Sequence, residues 1–369
     1  MKSNVKLITV FTVLSTSLYA TNGDHLIGIG AKSLGMAGTG IAISYGAGSA
    51  LAKPALITAV KSKKISFGGT MFMPDVETND QQIDADFSVI PAVSLAMKST
   101  DNFYWGVGMW GTAGMGVDYR GTGTNSEMVT NLQLMQFGLP LAYSDNGFSV
   151  GVTPILQYGA LDMSYTNSST KGVAQDLAFG YTVGAAYNVS DITLGLVYKS
   201  PIKMTYDGQI SIAAGQFGLG ALGFTDDLEQ PSEIGTGIAY EMGRSVIALD
   251  YKRINWASAA GYKDFGWKDQ DVFAIGYQHT QDAWVIRAGY NYAKSPIVEN
   301  AVANVNMLNL LGFPATVESH YAVGGSYAFT KKTSVDVAYV YAPEASDTLG
   351  TTSTKHSQSA LSMQVTFDF

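Results

Sequence analysis

The chain has 369 residues, a formal net charge of −8 at pH 7 and no cysteine, and only 14% of its residues are charged. The missing cysteines exclude disulfides and cysteine-ligated metal centres. The 46% hydrophobic content argues against intrinsic disorder, and the acidic balance argues against a nucleic-acid partner. A water-soluble protein covers its apolar residues with a charged and polar surface, and this chain has few charges for that purpose.

Residues 1–20 have the pattern of a secretory signal peptide. Lys2 and Lys6 provide the positive start, residues 7–18 are mostly apolar, and the segment ends in a small residue, Ala20. We therefore expect cleavage after Ala20 and export of the mature chain. No other segment has the composition of a membrane helix, so the exported chain is either soluble or a β-barrel.

Residues 21–60 do not alternate between apolar and polar positions. Within them, residues 33–52 carry no charge and contain five glycines, which disfavour a helix. We expect a compact element of small residues that precedes the first strand.

From residue 62 onward the chain alternates with a period of two, which is typical of half-buried strands. In the last segment, Leu361, Met363 and Val365 share a face opposite Ser362 and Gln364. The predicted strands are 62–73, 86–98, 103–120, 132–144, 148–165, 175–188, 192–206, 232–241, 245–256, 267–279, 283–293, 319–329, 333–341 and 356–369.

Short and long connections alternate along these fourteen predicted strands. This rhythm is typical of outer-membrane barrels, which have short periplasmic turns, long outer loops and an even number of strands. We predict an all-β fold, a transmembrane antiparallel barrel of about fourteen strands. Phe369 lies on the apolar face of the last strand and looks like the signal that such proteins present to the barrel-insertion machinery.

Three runs of residues carry a family resemblance. The Gly/Ala-rich segment ends in Lys53-Pro54-Ala55, and Pro91-Ala92 precedes the Gly-rich stretch 103–120. Later, Trp267-Lys268-Asp269 precedes an Arg-Ala-Gly-Tyr-Asn-Tyr run that starts at Arg287. In order and spacing the mature chain resembles the FadL-type outer-membrane transporters of long-chain fatty acids and aromatic hydrocarbons, whose first segment ends in Asn-Pro-Ala.

The resemblance implies three parts: a signal peptide (1–20), an N-terminal hatch inside the lumen (21–60, "the hatch") and a barrel (61–369). It also implies passive diffusion of a hydrophobic molecule that binds in the lumen and leaves sideways at a kink in the third strand. The residues of the hatch pattern are Gly35, Gly38, Gly40, Lys53, Pro54 and Ala55.

The third strand has glycines where a kink could form. They are Gly106, Gly108, Gly111, Gly114 and Gly116. Glycine in a strand marks a bulge, a bend or the close approach of another backbone. Barrel curvature alone is the alternative, and the resemblance favours a lateral opening near 111–114.

Two further sets of residues are candidates for ligand binding. The loop at 207–231 is unusually apolar and includes Phe217, Leu219, Leu222 and Phe224, which could attract a hydrophobe or simply fold onto the barrel rim. Arg287, Lys199, Lys203 and Lys252 are expected to face inward, where they could bind a carboxylate or form internal ion pairs with acids such as Asp250 or Asp336.

Other functions are less well supported. Two G-x-G-x-x-G runs lack the strand–helix context of a dinucleotide site, and the four histidines have no ligand spacing, so we expect no cofactor and no metal. A general porin, a surface adhesin and an outer-membrane lipid hydrolase remain alternatives. The expected partners are a hydrophobic ligand, outer-membrane lipid and lipopolysaccharide; we expect a monomer and no enzyme activity.

Overall fold

The computed structural model describes residues 22–165, 168–169 and 172–369. The predicted signal peptide therefore lies outside the described residues. The sheet consists of β1 (Lys63–Thr78), β2 (Ser88–Lys98), β3 (Phe103–Asp118), β4 (Val129–Gly138 and Leu141–Asp145), β5 (Phe148–Tyr165), β6 (Ala174–Val189), β7 (Ile192–Lys199), β8 (Glu233–Met242), β9 (Ser245–Ile254), β10 (Gln270–Gln281), β11 (Trp284–Ala293), β12 (Ser319–Thr330), β13 (Thr333–Leu349) and β14 (Thr352–Asp368).

Every strand pairs antiparallel with its neighbours in sequence, and β1 also pairs with β14, which closes the barrel. The prediction of a fourteen-stranded antiparallel barrel is confirmed. A closed barrel has no free edge in lipid, where unpaired backbone groups are costly.

The faces of the strands are inverted relative to a water-soluble protein. On β14, Met363 is half exposed, whereas the polar side chains of Ser362, Gln364 and Thr366 are buried. The apolar face therefore points outward, and the polar face lines the interior. This arrangement accounts for the scarcity of charge, because one face of each strand is suited to lipid.

Several predicted boundaries are wrong, and β1 for example extends to Thr78 instead of ending at 73. Strand β7 ends at Lys199, because the chain continues into Pro201, which has no N–H to donate, and residues Ile202–Thr205 pair instead with Asp227–Gln230. The predicted long loop at 342–355 is largely strand, since β13 and β14 continue to a tight turn at Gly350, whose φ is +61°. Both faces of this extension are polar. Its sequence therefore does not alternate between apolar and polar residues, which is the pattern by which the other strands were predicted.

Short helices occur in the hatch and in the long loops: α1 (Ala31–Leu34), α2 (Ile210–Gln216) and α3 (Ala303–Gly312), with 3-10 turns at Gly46–Leu51, Pro54–Ala59, Asn125–Glu127, Gly220–Leu222 and Trp256–Ser258. None of the helices in the described ranges is long and apolar enough to cross a membrane.

The largest apolar cluster lies at the long-loop end of the barrel. Trp256 and Trp267 pack edge-on at 5.1 Å between ring centres, and Phe265 stacks on Phe313 at 5.2 Å. These residues come from the β9–β10 and β11–β12 loops. The loops therefore form a packed cap over the barrel mouth.

Candidate functional site

Residues 22–60 lie inside the barrel and contact strands around its wall. Helix α1 packs against β12–β14, the turn at Gly46–Leu51 against β2 and β3, and the turn at Pro54–Ala59 against β4–β6. The interior of the described barrel is thus occupied by this segment, which is buried along most of its length.

Inward-facing glycines on the strands make room for this segment. A Cβ atom at Gly289 would lie 2.6 Å from the carbonyl carbon of Met36, and one at Gly151 would lie 2.6 Å from that of Pro54. Four further inward glycines approach the hatch in the same way: Gly195, Gly237, Gly276 and Gly324. Sequence reasoning did not identify this set, although a glycine recurring on the inward face of successive strands is a readable signal.

The glycines of the hatch itself are also placed by close approach. Gly35 lies against Gly324, so that a Cβ atom added at Gly35 would lie 3.2 Å from the Cα of Gly324. Gly38 has φ +83° and abuts the carbonyl of Ile27, and Gly40 has φ +153° beside the ring of Tyr45. A side chain at Gly38 or Gly40 would therefore be strained as well as crowded.

A buried carboxylate on the wall holds the hatch backbone. Oδ2 of Asp250 on β9 accepts hydrogen bonds from the N–H groups of Gly40 at 2.8 Å and Ile41 at 2.9 Å. Asn291 on β11 adds a bond from Nδ2 to the carbonyl of Ala37 at 3.3 Å. A charged acceptor makes stronger hydrogen bonds than a neutral one, so Asp250 is a polar anchor of this segment.

Arg287 faces the interior, where two of its donors form hydrogen bonds with the wall. Nε donates to Oε1 of Gln278 at 2.8 Å, and one terminal nitrogen donates to Oγ of Ser326 at 2.6 Å. Asp336 lies 4.0 Å from that nitrogen and 3.7 Å from Nζ of Lys32 in the hatch. The internal ion pair that the sequence left open is therefore present, and it links the wall to the hatch.

Two of the three predicted lysines, Lys199 and Lys252, share one buried charged group, and the third lies elsewhere. Nζ of Lys199 lies 3.2 Å from the buried carboxylate of Glu233, and Lys252 is buried beside them. The prediction that Lys203 faces inward is wrong. Lys203 is not in a barrel strand but on the short hairpin beyond β7, where its side chain is more than half exposed and pairs with Asp227 at 3.1 Å. It does not face the lumen.

Lys53 of the hatch belongs to the same charged group. Burial, with the neighbouring ammonium groups of Lys199 and Lys252, lowers the pKa of Lys53 to about 8. The backbone N–H of Lys53 donates to the carbonyl of Ser49 at 2.8 Å, and Pro54 and Ala55 then enter the space left by Gly151. The Lys-Pro-Ala sequence thus forms a corner against the wall.

The apolar loop folds onto the rim. Phe217 and Leu219 are buried, and Phe224 stacks on Phe265 at 5.7 Å between ring centres. Leu222 differs, with 54% of its surface exposed. Three of these four residues therefore pack onto the barrel rim, as in the second of the two predicted alternatives. The four residues do not form a continuous exposed apolar patch.

The register of β3 shifts at the centre of its glycine-rich stretch. A bulge falls between Gly111 and Ala113, and the freed groups bind the hatch. The carbonyl of Thr112 accepts from the N–H of Leu26 at 3.3 Å, and the N–H of Gly114 donates to the carbonyl of Asp24 at 3.2 Å. Glycines in a strand can mark the close approach of another backbone, and here that backbone is the first described segment of the hatch.

The remaining glycines of β3 permit close contacts on both sides. A Cβ atom at Gly108 would lie 2.8 Å from the side chain of Leu51 in the hatch, and one at Gly106 would meet the carbonyl of Leu95 on β2. Gly116 pairs with Asn131 on β4 in regular register. The irregularity is therefore local to 111–113.

An apolar groove of about 750 Å³ indents the outer wall beside this bulge. Its wall includes Val107 and Met109 on β3, Phe137 on β4, Leu139 in the interruption of β4, and Phe179 on β6. Strand β4 is interrupted at Leu139 and Pro140, where the carbonyl of Pro140 accepts from the N–H of Gly106 at 2.9 Å.

A small internal cavity of about 40 Å³ lies behind the wall. His25, Thr112 and Lys199 are among its lining residues. Ile155 on β5 lines both this cavity and the outer groove, and it packs with Leu51 and Trp110 in one buried apolar cluster. Inside and outside are therefore separated here by a few apolar side chains.

The first described residues are held under the loop cap by a buried polar cluster. Oδ2 of Asp24 accepts from Nε2 of Gln230 at 2.7 Å and from the hydroxyl of Tyr262. The ring of His25 lies 5.1 Å from that of Trp256. Burial raises the pKa of Asp24 and lowers that of His25. This cluster couples the bulge in β3 to the β9–β10 loop.

Almost the whole chain is similar to known proteins. A family model described as "Outer membrane protein transport protein (OMPP1/FadL/TodX)" matches residues 12–368. A long-chain fatty acid transport protein of Salmonella typhi is 24% identical over 412 residues, which cover 91% of this chain and 90% of that protein. The corresponding protein of Escherichia coli K12 is 22% identical with the same coverage of both chains.

Solved structures share the fold at low identity. A Pseudomonas aeruginosa FadL homologue superposes with a TM-score of 0.74 at 15% identity, covering 94% of this chain and all of that one. The P. putida toluene transporter TodX gives a TM-score of 0.72 at 17% identity, covering 93% and 99%. At these identities the likeness concerns the architecture alone.

Proposed function

Because the chain belongs to the OMPP1/FadL/TodX family of outer-membrane transport proteins, we propose that it passes small hydrophobic molecules across the outer membrane by diffusion. The curated relatives carry long-chain fatty acids by name, and TodX is a toluene transporter. The substrate class proposed here is therefore a fatty acid or a hydrocarbon, and the polar pore of a general porin is disfavoured by the filled lumen.

The observation that carries the proposal is the thin apolar partition beside the bulge in β3. A hydrophobe gains free energy on leaving water for an apolar path, about 25 cal/mol per Å² of apolar surface buried. The outer groove supplies such a surface at membrane depth, and Ile155 is the side chain common to the groove and the inner cavity. We propose that the ligand leaves sideways here, when the partition opens.

Substitution of Ile155 tests this route. Ile155→Ala should speed entry of radiolabelled laurate into cells that lack their own long-chain fatty acid transport protein, and Ile155→Trp should slow it. Val150→Ala on the outward face of the same strand is the matched control. Equal uptake by all three variants, with equal amounts of folded protein in the membrane, would contradict a lateral exit at this point.

A carboxylate-binding role for Arg287 stays a prediction. Arg287→Ala should weaken laurate binding and leave binding of toluene unchanged, because only laurate carries a charge that a guanidinium recognises. Arg287→Lys keeps the charge and should restore part of the laurate affinity. Equal losses for both ligands would assign Arg287 to its ion pair with Asp336 alone.

A further inference from the structure

The rim at the short-turn end of the barrel has an uneven distribution of charge. Six lysines lie on one side of this rim: two in the β12–β13 turn, three at the start of β1 and one at the end of β2, with the end of β14 between them. We name this set the basic arc: Lys61, Lys63, Lys64, Lys98, Lys331 and Lys332. The chain as a whole is acidic, with 30 acidic and 22 basic residues. A cluster of six lysines therefore differs from the overall charge of the protein.

The rest of the same rim is acidic. The turns from β4 to β11 present Asp145, Asp191, Glu241 and Asp282, against Arg244, which pairs with Asp282 at 3.5 Å. The short-turn rim is therefore divided into a basic side and an acidic side. If the charged residues served only to keep the rim hydrated, the two signs of charge would not need to lie on opposite sides.

Most of the basic arc lacks internal compensation. Lys64 pairs with Asp368 at 2.9 Å, and Lys98 pairs with Asp101 at 3.4 Å. For the other four lysines, no carboxylate lies within ion-pair distance in the described part of the chain. Their charges are available to an external anion.

The basic arc lies just beyond the apolar band of the barrel. Nζ of Lys63 lies 4.8 Å from the ring centre of Phe369, and the outward row of β1 continues from Lys63 to Ile65 and Phe67. Phe329, 63% exposed, lies two residues before Lys331. Aromatic side chains mark the membrane interface, and two residues of a strand span about 7 Å, so the ammonium groups of Lys63 and Lys331 lie at the level of lipid phosphates, whereas Lys64 is on the inward row of β1.

We propose that the basic arc binds the phosphate groups of anionic phospholipids in the periplasmic leaflet of the outer membrane. The short turns of such barrels face the periplasm, and clustered lysines at a membrane surface attract anionic lipid. The acidic side of the rim repels the same headgroups. The protein therefore selects anionic lipid on the β13–β14–β1–β2 side, independently of what it transports.

Native mass spectrometry of the purified full-length protein tests the proposal. The protein is equilibrated with equal amounts of phosphatidylglycerol and phosphatidylethanolamine, and the retained lipids are counted. The test variant is Lys61→Gln/Lys331→Gln/Lys332→Gln. The control variant is Lys263→Gln/Lys268→Gln/Lys294→Gln, which removes the same charge from exposed lysines at the long-loop end.

We expect wild type and control to retain phosphatidylglycerol preferentially, and the test variant to lose that preference by at least about fivefold, the effect of one lysine near an anionic surface. The preference should weaken as salt rises, because exposed charges are screened. An unchanged preference in the folded test variant, or no preference in wild type, would overturn the proposal; the latter result would favour an acidic protein partner.

Discussion

Removal of the Asp250 carboxylate should release the hatch from the wall. Oδ2 of Asp250 accepts the N–H groups of Gly40 and Ile41 at 2.8 and 2.9 Å, in a buried site. In Asp250→Ala both donors lose their acceptor, and each unsatisfied buried donor costs about 1–3 kcal/mol. The expected loss of docking free energy is about 2–6 kcal/mol, which corresponds to roughly 30-fold to 10⁴-fold more frequent opening.

Hydrogen exchange measured by mass spectrometry reads this opening directly. Peptides that cover residues 31–45 should exchange faster in Asp250→Ala, whereas strand peptides should be unchanged. Asp250→Asn keeps an oxygen acceptor but loses its charge, so its exchange should be intermediate. Asp271→Asn is the matched control, since Asp271 lies on the adjacent strand but faces outward and binds Arg253.

Wild-type exchange of the 31–45 peptides in a folded Asp250→Ala barrel would show that Asp250 does not hold the hatch. Equal acceleration in Asp271→Asn would exclude the same role for Asp250, because it would trace the effect to a general loss of charge. The compact barrel of each variant is verified by its resistance to unfolding in detergent before heating.

Two other perturbations address the same segment. Gly289→Leu should collide with Met36 and weaken hatch docking by about 1–3 kcal/mol; planar-bilayer conductance should rise, while the outward Ala288→Leu leaves it unchanged. For Lys53, whose pKa is lowered to about 8 from 10.5, the unfolded chain binds more protons between these values, so stability rises with pH across that window. The wild-type thermal midpoint should therefore rise with pH relative to Lys53→Met, and parallel curves for the two proteins would contradict the assignment.

Most of the barrel follows from local pattern. Alternation along β14, with Met363 outward and Gln364 inward, is visible in the sequence because a strand places successive side chains on opposite faces. The polar extension of β13 and β14 beyond Ala342 was not predictable in this way, since neither of its faces is apolar. Lys203 was misplaced because the end of β7 depends on a hairpin partner about 25 residues away.

The sequence by itself determined the number of strands, their antiparallel order and the face each turns to lipid, because these depend on a two-residue period and on the lengths of connections. Only the tertiary structure decided which inward residues meet the hatch, as with Asp250 at Gly40 and Gly289 at Met36. Those contacts join positions more than two hundred residues apart. Closure of the barrel brings them together, and no local pattern records which inward position lies opposite which part of the hatch.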